Sequence, residues 1–284
     1  MKFRSSHIVK AILLLVLALM LATFAGCSRS RHYEDIPMDV AWQKIMQKFN
    51  KGRYLDAADR LEIFLINHAG SALADSAQFV LGECHFKMKE YIIAASEYQK
   101  LYVQYPQSSL AQEAEYKMGI CFLELSPKYS LDQVYTQKAI DTFQLFIEDY
   151  PNSEKVDEAT ARIQELRHKL AHKEFFNGML YHKMKEYASA RIYYELVLDN
   201  YYDTEYAPRA QYYIAFGYEK EKQWTEAIEA YTQYLNKFSG HDLEQEALHN
   251  LNVCREKLAE GAGKKRGDFL LPAGEMEEST GEDE

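Results

Sequence analysis

Apolar residues recur every three or four positions along most of the chain, and this period predicts a succession of amphipathic helices. One four-residue stretch, MKEY, occurs twice, at residues 88–91 and 184–187. After each copy an alanine follows the tyrosine by three residues, and an aromatic residue follows that alanine by four. These offsets place the three side chains on one face of a helix. The repetition therefore predicts a unit from which the chain is built.

Five copies of this pattern can be aligned, although two of them are degenerate at one position. The trios are Tyr54, Ala57, Leu61; Tyr91, Ala94, Tyr98; Thr136, Ala139, Phe143; Tyr187, Ala190, Tyr194; and Trp224, Ala227, Tyr231. A preceding helix carries a small residue where two helices can approach closely, at Gly82, Gly119, Gly178 and Ala215. Helix pairs with a period of about 34 residues are typical of the tetratricopeptide repeat. The sequence predicts an all-α fold, an α-α superhelix (TPR solenoid) of five helix-turn-helix repeats.

Two spacings exceed the regular period, and each excess has a visible cause. The segment SPKYSLDQVYTQ, at 126–137, is inserted between the helices of the third repeat. The segment 153–184 contains no proline and one glycine, so it predicts one long helix that links the third repeat to the fourth. Ser153, which follows Pro151, is the expected N-cap of this helix. A closing helix with a polar outer face is predicted after Gly240, as the end of a repeat stack requires.

The first residues resemble a bacterial lipoprotein leader. Lys2, Arg4 and Lys10 precede an apolar run from 11 to 25, which is short for a membrane span and typical of a signal peptide. The sequence Phe-Ala-Gly-Cys at 24–27 resembles a lipobox, with Phe24 in place of the usual Leu. We therefore expect Cys27 to carry acyl chains, and Ser28 favours an outer-membrane address. The alternative is an ordinary secretory signal in which Cys27 is not lipidated.

Composition sets the boundaries of the domains. After residue 258 the chain becomes rich in glycine and acidic residues, which indicates disorder, although Phe269, Leu270 and Leu271 offer an alternative as a docking patch. We divide the chain into a lipoprotein signal peptide (1–26), a lipidated linker (27–36), an N-terminal half with repeats 1–3 (37–152), a C-terminal half with repeats 4–5 and the capping helix (153–258), and a disordered acidic tail (259–284).

Charge and motif content favour a binding protein over an enzyme. The net charge is −10, and removal of the leader takes three positive charges with it, so neither nucleic acid nor anionic lipid is an expected partner. The chain has no nucleotide-binding loop, no CxxC motif and no nucleophile motif. His168 and His172 are spaced to share a metal ion, but without an obvious third ligand they are better interpreted as a solvated helix face. We predict no cofactor and no metal.

Three further cysteines, Cys84, Cys121 and Cys254, lie in apolar helical patterns. We interpret them as buried core residues. A disulfide between Cys84 and Cys121 is the open alternative, because an exported protein meets an oxidising environment.

Aromatic residues occupy the same position in the first helix of all five repeats. When the small residue is numbered eight, the fifth position holds Trp42, Phe79, Tyr116, Phe175 and Tyr212. In this repeat that position normally faces the concave surface, so the sequence predicts an aromatic stripe there. The twelfth position holds Phe49, Phe86 and Leu123 in the N-terminal half, and His182 and Glu219 in the C-terminal half. The concave face of the N-terminal half is therefore predicted to be the more apolar one. The alternative is that the rings only cover neighbouring helices.

The leader, the five repeats, the inserted DQVYTQKAIDTFQLFIEDYPNS and the long linking helix together resemble the BamD family of outer-membrane assembly lipoproteins. The resemblance covers about residues 27–258, and it departs from the family at Tyr202, where a Tyr-Pro terminator has lost its proline. It implies a periplasm-facing, lipid-anchored subunit of the β-barrel assembly machinery that works beside BamA and other assembly lipoproteins.

The resemblance also implies a division of labour between the halves. The front repeats would receive the C-terminal segment of unfolded outer-membrane β-barrel proteins, with Trp42, Phe49, Phe79, Phe86 and Tyr116 as the candidate contacts. The back repeats would dock the periplasmic domains of BamA, near Phe175 and Tyr212. A lipoprotein adaptor for pilus secretion or for envelope hydrolases is the alternative function.

Overall fold

The computed structural model describes residues 36–267, with side chains described through residue 261. The predicted signal peptide, Cys27 and the tail beyond residue 267 lie outside the described residues. Within them the chain forms eleven α-helices and no strand, which confirms the predicted all-α tetratricopeptide-repeat fold. The helices are α1 (Met38–Asn50), α2 (Tyr54–Asn67), α3 (Ala74–Lys87), α4 (Tyr91–Gln104), α5 (Ala111–Leu125), α6 (Val134–Asp149), α7 (Val156–Lys183), α8 (Tyr187–Asn200), α9 (Tyr206–Lys220), α10 (Trp224–Lys237) and α11 (Glu244–Gly267).

The chain divides into two compact units between Ala74 and Asp75. In the first unit α1 buries Ile45, and α2 buries Leu61 and Phe64. In the second unit the core is a series of clusters, each shared by consecutive helices. The division expected at residues 152 and 153 lies inside this second unit.

The long helix α7 joins two of these clusters. Its first half contributes Ile163 and Leu166 to a cluster with Phe143 and Phe146 of α6. Its second half packs against the cluster built from α8, α9, α10 and α11. One uninterrupted helix thus belongs to two cores, as the sequence predicts, although it begins at Val156.

Four of the five repeats use the same turn between their helices. Lys89, Lys185 and Lys222 have positive φ angles of 62°, 64° and 61°, and Gly52 has one of 73°. Each lies two residues before the aromatic residue that opens the second helix. A lysine in the left-handed region is disfavoured, so the surrounding helix pair must hold it there. The MKEY motif therefore marks a tight left-handed turn.

In the second, third and fourth repeats, an aromatic ring of the second helix rests on the glycine of the first helix. A Cβ atom added to Gly82 would lie 2.7 Å from the ring of Tyr98. At Gly119 the distance to Phe143 would be 2.6 Å, and at Gly178 the distance to Tyr194 would be 2.5 Å. Such contacts are too close for any side chain, so glycine sets the separation of these helices.

The insertion in the third repeat folds against α7. Lys169 Nζ donates hydrogen bonds to Ser126 Oγ at 2.5 Å and to the Pro127 carbonyl at 3.2 Å. The ring of Tyr129 packs against His172, with centroids 4.2 Å apart. The inserted residues replace the tight turn and are held by the linking helix.

The turn after α8, where the Tyr-Pro terminator has lost its proline, is held by an arginine. Arg167 donates to both carboxylate oxygens of Asp203, at 3.1 Å from Nε and 2.6 Å from Nη2, and Nη2 also donates to the Asn200 carbonyl at 2.8 Å. This fork of hydrogen bonds fixes the turn after α8. The hydrogen bonds supply the constraint that a proline would otherwise supply near Tyr202.

Two element boundaries differ from the sequence-based expectation. Ser153 is not the N-cap of α7, because the helix begins at Val156 and no side chain caps its end. The Ser153 hydroxyl instead accepts a hydrogen bond from the Lys155 backbone N–H at 3.2 Å. The closing helix α11 continues to Gly267 and so includes the first nine residues of the segment expected to be a disordered tail.

Cys84, Cys121 and Cys254 are buried free thiols, which confirms their interpretation as core residues. The alternative disulfide between Cys84 and Cys121 is wrong. Burial raises the pKa of both thiols to about 12, so they remain protonated and unreactive.

A buried carboxyl group distinguishes the third repeat. Gln78 Nε2 donates to the backbone carbonyl of Glu97 at 3.1 Å, and Gln211 Nε2 donates to that of Ala230 at 3.2 Å. The equivalent residue of the third repeat is Glu115, which is 0% exposed and whose two carboxylate oxygens have no hydrogen-bond partner among the described residues. Burial, with a further contribution from Asp149, raises the pKa of Glu115 to about 7. A protonated Glu115 can donate as the glutamines do, whereas an ionised one cannot.

We predict that Glu115→Gln stabilises the protein at alkaline pH. The folded state binds the Glu115 proton more tightly than the unfolded state, where the pKa is near 4.5, so wild-type stability falls as pH rises from about 4.5 to 7. The glutamine removes this loss, which we expect to be about 2–3 kcal/mol at pH 8 and near zero at pH 4. Denaturant unfolding at both pH values measures it.

Glu148→Gln is the matched control, since Glu148 is exposed on α6. It removes the same charge without removing a buried carboxyl. Equal stability of Glu115→Gln and wild type at pH 8 would contradict this account of Glu115.

Candidate functional site

Each ring at the fifth position contacts a ring of the second helix in its own repeat. The centroid distances are 6.0 Å for Trp42 and Phe64, 5.6 Å for Phe79 and Tyr98, 5.7 Å for Tyr116 and Phe143, 5.6 Å for Phe175 and Tyr194, and 5.9 Å for Tyr212 and Tyr231. The common position therefore has a packing role in every repeat. The exposed area of each ring decides whether it can also contact another molecule.

Tyr116 and Tyr212 do not form part of an open stripe. They are 4% and 3% exposed, so the expectation that their rings are open to another molecule is wrong. Tyr116 is enclosed because it also packs edge-on against Phe146, with centroids 5.4 Å apart. Tyr212 is enclosed because α11 covers it, and its hydroxyl donates to Glu246 Oε1 at 2.7 Å. The alternative, that the rings cover neighbouring helices, holds at these two positions.

Phe79 and Phe86 remain partly exposed on α3. Phe86 packs edge-on against Tyr91, with centroids 5.3 Å apart, and the Lys117 ammonium lies 5.1 Å from the centre of its ring. Lys117 Nζ also lies 2.9 Å from Glu83 Oε1 and so connects α5 to α3. The two rings and this ion pair form the front surface, which is defined by Phe79, Glu83, Phe86 and Lys117. It combines apolar area with one fixed positive and one fixed negative charge.

Trp42 and Phe49 lie in the first compact unit. Both are partly buried, Trp42 against Phe64 and Phe49 against Tyr54, at 5.6 Å between centroids. Their remaining exposed faces belong to α1. Both residues remain candidate contacts for a client protein.

The rings of the back repeats form a connected aromatic and polar network. Phe175 contacts Tyr206 at 5.4 Å and Tyr213 at 5.9 Å between centroids. Tyr231 donates to Glu219 Oε2 at 2.8 Å, and Asn250 Nδ2 donates to the hydroxyls of Tyr212 and Tyr231 at 3.2 Å each. Burial, together with the hydrogen bond to Glu246, raises the pKa of Tyr212. The network ties α9, α10 and α11 together.

The twelfth position changes character in the back half, in line with the sequence pattern. His182 stacks on Phe216 with centroids 5.4 Å apart, and its Nδ1 has no hydrogen-bond partner among the described residues. Burial lowers the pKa of His182, and Lys220 lowers it further. The ring is therefore neutral at pH 7 and behaves as an aromatic packing residue.

His168 and His172 have different partners. His168 Nε2 lies 2.9 Å from Glu205 Oε1, while the His172 ring packs between Tyr129 and Tyr206. Within residues 36–261 no three histidine, cysteine, aspartate or glutamate side chains are arranged to hold a metal ion. The same described part of the chain has no helix long and apolar enough to span a bilayer.

Two cavities of the second unit lie away from the predicted rings. These adjoining cavities, of 270 Å³ and 290 Å³, lie between α8 and α10 and share Leu198 and Gln211 in their walls. We call them the back groove. Its main lining residues are Glu195, Leu198, Gln211, Ile214, Glu226, Glu229, Lys237 and Phe238. A third cavity of only 20 Å³ lies within the first unit and is lined by residues such as Ile45 and Phe64.

The sequence reasoning missed the back groove because it followed the first helix of each repeat. The groove is formed mainly by the second helices of the fourth and fifth repeats. An alignment of the second helices would have shown the signal. Leu198 stands where the second repeat has Tyr102, and Lys237 stands where the third has Asp149.

Comparisons with known proteins agree with this architecture. The family model YfiO, described as an outer membrane lipoprotein, matches residues 34–215. A tetratricopeptide-repeat model matches residues 209–241. The outer membrane protein assembly factor BamD of Caulobacter vibrioides is 23% identical over 223 residues, which cover 75% of this chain and 73% of that protein.

Solved structures similar to the chain are also repeat proteins. A tetratricopeptide repeat protein from Parabacteroides merdae is 13% identical, with a TM-score of 0.34 and coverage of 83% of this chain and 81% of that one. The TPR2AB domain of yeast Sti1 in its pHSP90 complex is 14% identical, with a TM-score of 0.38 and coverage of 82% and 96%.

The YfiO match extends over more than half of the chain, from before α1 into α9. It spans the insertion of the third repeat and the whole linking helix, the two features that depart from a regular repeat. The chain belongs to the YfiO family of outer membrane lipoproteins.

Proposed function

We propose that this chain is a scaffold of the machinery that inserts β-barrel proteins into the outer membrane, where it faces the periplasm and is held by acyl chains on Cys27. The observation that carries the proposal is the family match over residues 34–215, supported by the similarity to an assembly factor named BamD. A fold built wholly from helix pairs offers surfaces for other chains. Several acyl chains on one cysteine hold a protein firmly at a membrane, whereas a single chain does so only marginally.

The front surface is the proposed site for the C-terminal segment of an unfolded barrel protein. Among the candidate client contacts of the second unit, Phe79 and Phe86 keep exposed area, and Lys117 places a positive charge beside Phe86. Two apolar client side chains buried there would contribute about 1.5–3 kcal/mol each. After the cost of ordering the client, a dissociation constant of about 0.1–1 mM follows. Tethering at the membrane offsets such weak binding by raising the effective concentration.

The back half is the proposed docking region for the periplasmic domains of BamA. Phe175 and Tyr212 are candidates here as residues that shape the surface, since their rings pack within the network that ties α9 to α11. A rigid face held by hydrogen bonds loses little entropy when a partner binds. Trp42 and Phe49, in the first unit, are proposed as further client contacts.

A peptide titration tests the front surface. A labelled peptide made of the last ten residues of an outer-membrane barrel protein should bind Phe79→Ala and Phe86→Ala about tenfold more weakly than wild type, because each variant removes apolar contact area. Isothermal titration or NMR line broadening at millimolar peptide measures the affinity. Val103→Ala is the matched control, since it removes a residue that is exposed on α4.

Tyr116→Ala is unsuitable for this purpose. Its ring is buried, and its removal would cost about 3–5 kcal/mol of stability. If Phe79→Ala and Phe86→Ala both bind the peptide as the wild type does, the front surface is not the client site.

Purification from solubilised envelopes tests the partner and the anchor together. The native protein should bring BamA with it, and its amino-terminal peptide should begin at Cys27 and carry acyl chains by mass spectrometry. Recovery of pilus-secretion or envelope-hydrolase components without BamA would favour the adaptor function instead. An unmodified Cys27 would contradict the anchor.

A further inference from the structure

The back groove is open because two side chains differ from those at the equivalent place between the second and third repeats. There, the Tyr102 hydroxyl of α4 donates to Asp149 Oδ2 of α6 at 2.9 Å. This bond spans the gap between the second helices of two successive repeats. In the back half, Leu198 is too short to cross that space and has no hydroxyl. Lys237 replaces the acceptor, so the space between α8 and α10 stays open.

The groove has an apolar floor and opposite charges at its two ends. Ile214 and Leu198 are apolar residues in its wall, and Gln211 is held by its own hydrogen bond to α10. Lys237 lies at one end, beside Tyr202, which is 72% exposed.

Three exposed carboxylates lie along the other part of the groove, namely Glu195, Glu226 and Glu229. None of them forms an ion pair with another described residue, whereas Arg191, on the same helix as Glu195, pairs with Glu221. Three uncompensated negative charges around one cavity create a local potential that attracts a cation.

We propose that the back groove binds a segment of a partner protein in which a lysine or arginine lies next to a large apolar side chain. The basic side chain reaches Glu195, Glu226 and Glu229, and the apolar side chain covers Leu198, Ile214 and Phe238. A second copy of this chain fits poorly, because its net charge of −10 opposes the same carboxylates. This proposal does not depend on the client site of the front surface, which lies on other helices.

Fluorescence anisotropy with the full-length chain in detergent tests the proposal. The probe is a fluorescein-labelled decapeptide of alternating lysine and leucine, and its counterpart carries glutamate in place of every lysine. We expect saturable binding of the lysine peptide, and binding at least tenfold weaker for the glutamate peptide. The triple variant E195Q/E226Q/E229Q should bind the lysine peptide about tenfold more weakly.

A second variant should close the groove by copying the residue pair that joins the second helices of the second and third repeats. L198Y/K237D transplants the Tyr102–Asp149 pair into the back half and should weaken binding at least tenfold while the helical circular dichroism stays unchanged. The charge control is E148Q/E154Q/E256Q, which removes three exposed carboxylates outside the groove. The shape control is Leu196→Tyr, at an exposed position of α8 outside the groove lining.

The two variants leave no ambiguous outcome. If the charge control weakens binding as much as E195Q/E226Q/E229Q does, the peptide senses only overall charge and the proposal is overturned. Wild-type affinity in a correctly folded L198Y/K237D would also overturn it. If L198Y/K237D does not fold, the comparison of the two triple variants decides alone.

Discussion

The structure depends on one contact of the second, third and fourth repeats, in which an aromatic ring of the second helix lies on a glycine of the first. Tyr98 on Gly82, Phe143 on Gly119 and Tyr194 on Gly178 repeat it along the chain. Because the glycine has no side chain, the two backbones approach closely and the ring fills the remaining space. The tight turn, with its left-handed lysine, is tolerated because this contact holds both ends of the hairpin.

The same contact explains why the fifth-position rings are less available than the pattern suggests. Once the helices are this close, a ring at the fifth position meets the ring of the partner helix before it meets solvent. Tyr116 and Tyr212 are almost completely enclosed, while Phe79 keeps exposed area, as does Phe86 at the twelfth position. In this fold the surfaces available for binding are therefore of two kinds. They are the exposed faces of partly buried rings, or grooves such as the back groove beside Leu198.

The local pattern of the sequence was enough to predict the repeats, the insertion and the linking helix. The spacing of apolar residues and the position of a small residue reflect local geometry. The repeats, the insertion and the linking helix are all local features. Exposure depends on what packs above a ring, so the sequence could not show that α11 covers Tyr212 or that Phe146 encloses Tyr116. The ends of α7 and α11 were also missed, because Lys155 replaces the expected serine cap and the helix tolerates glycines up to Gly267.

A double-mutant cycle on Gly119 and Phe143 tests the central contact most directly. Gly119→Ala alone should destabilise the protein by about 1–3 kcal/mol through overpacking, and much of that cost should disappear when Phe143→Leu makes room, a coupling of at least about 1 kcal/mol. Gly217→Ala is the control, since its Cβ would lie 3.5 Å from that of Tyr187, an ordinary contact, and alanine favours the helix. If Gly119→Ala is as well tolerated as Gly217→Ala, the close contact does not set the fold.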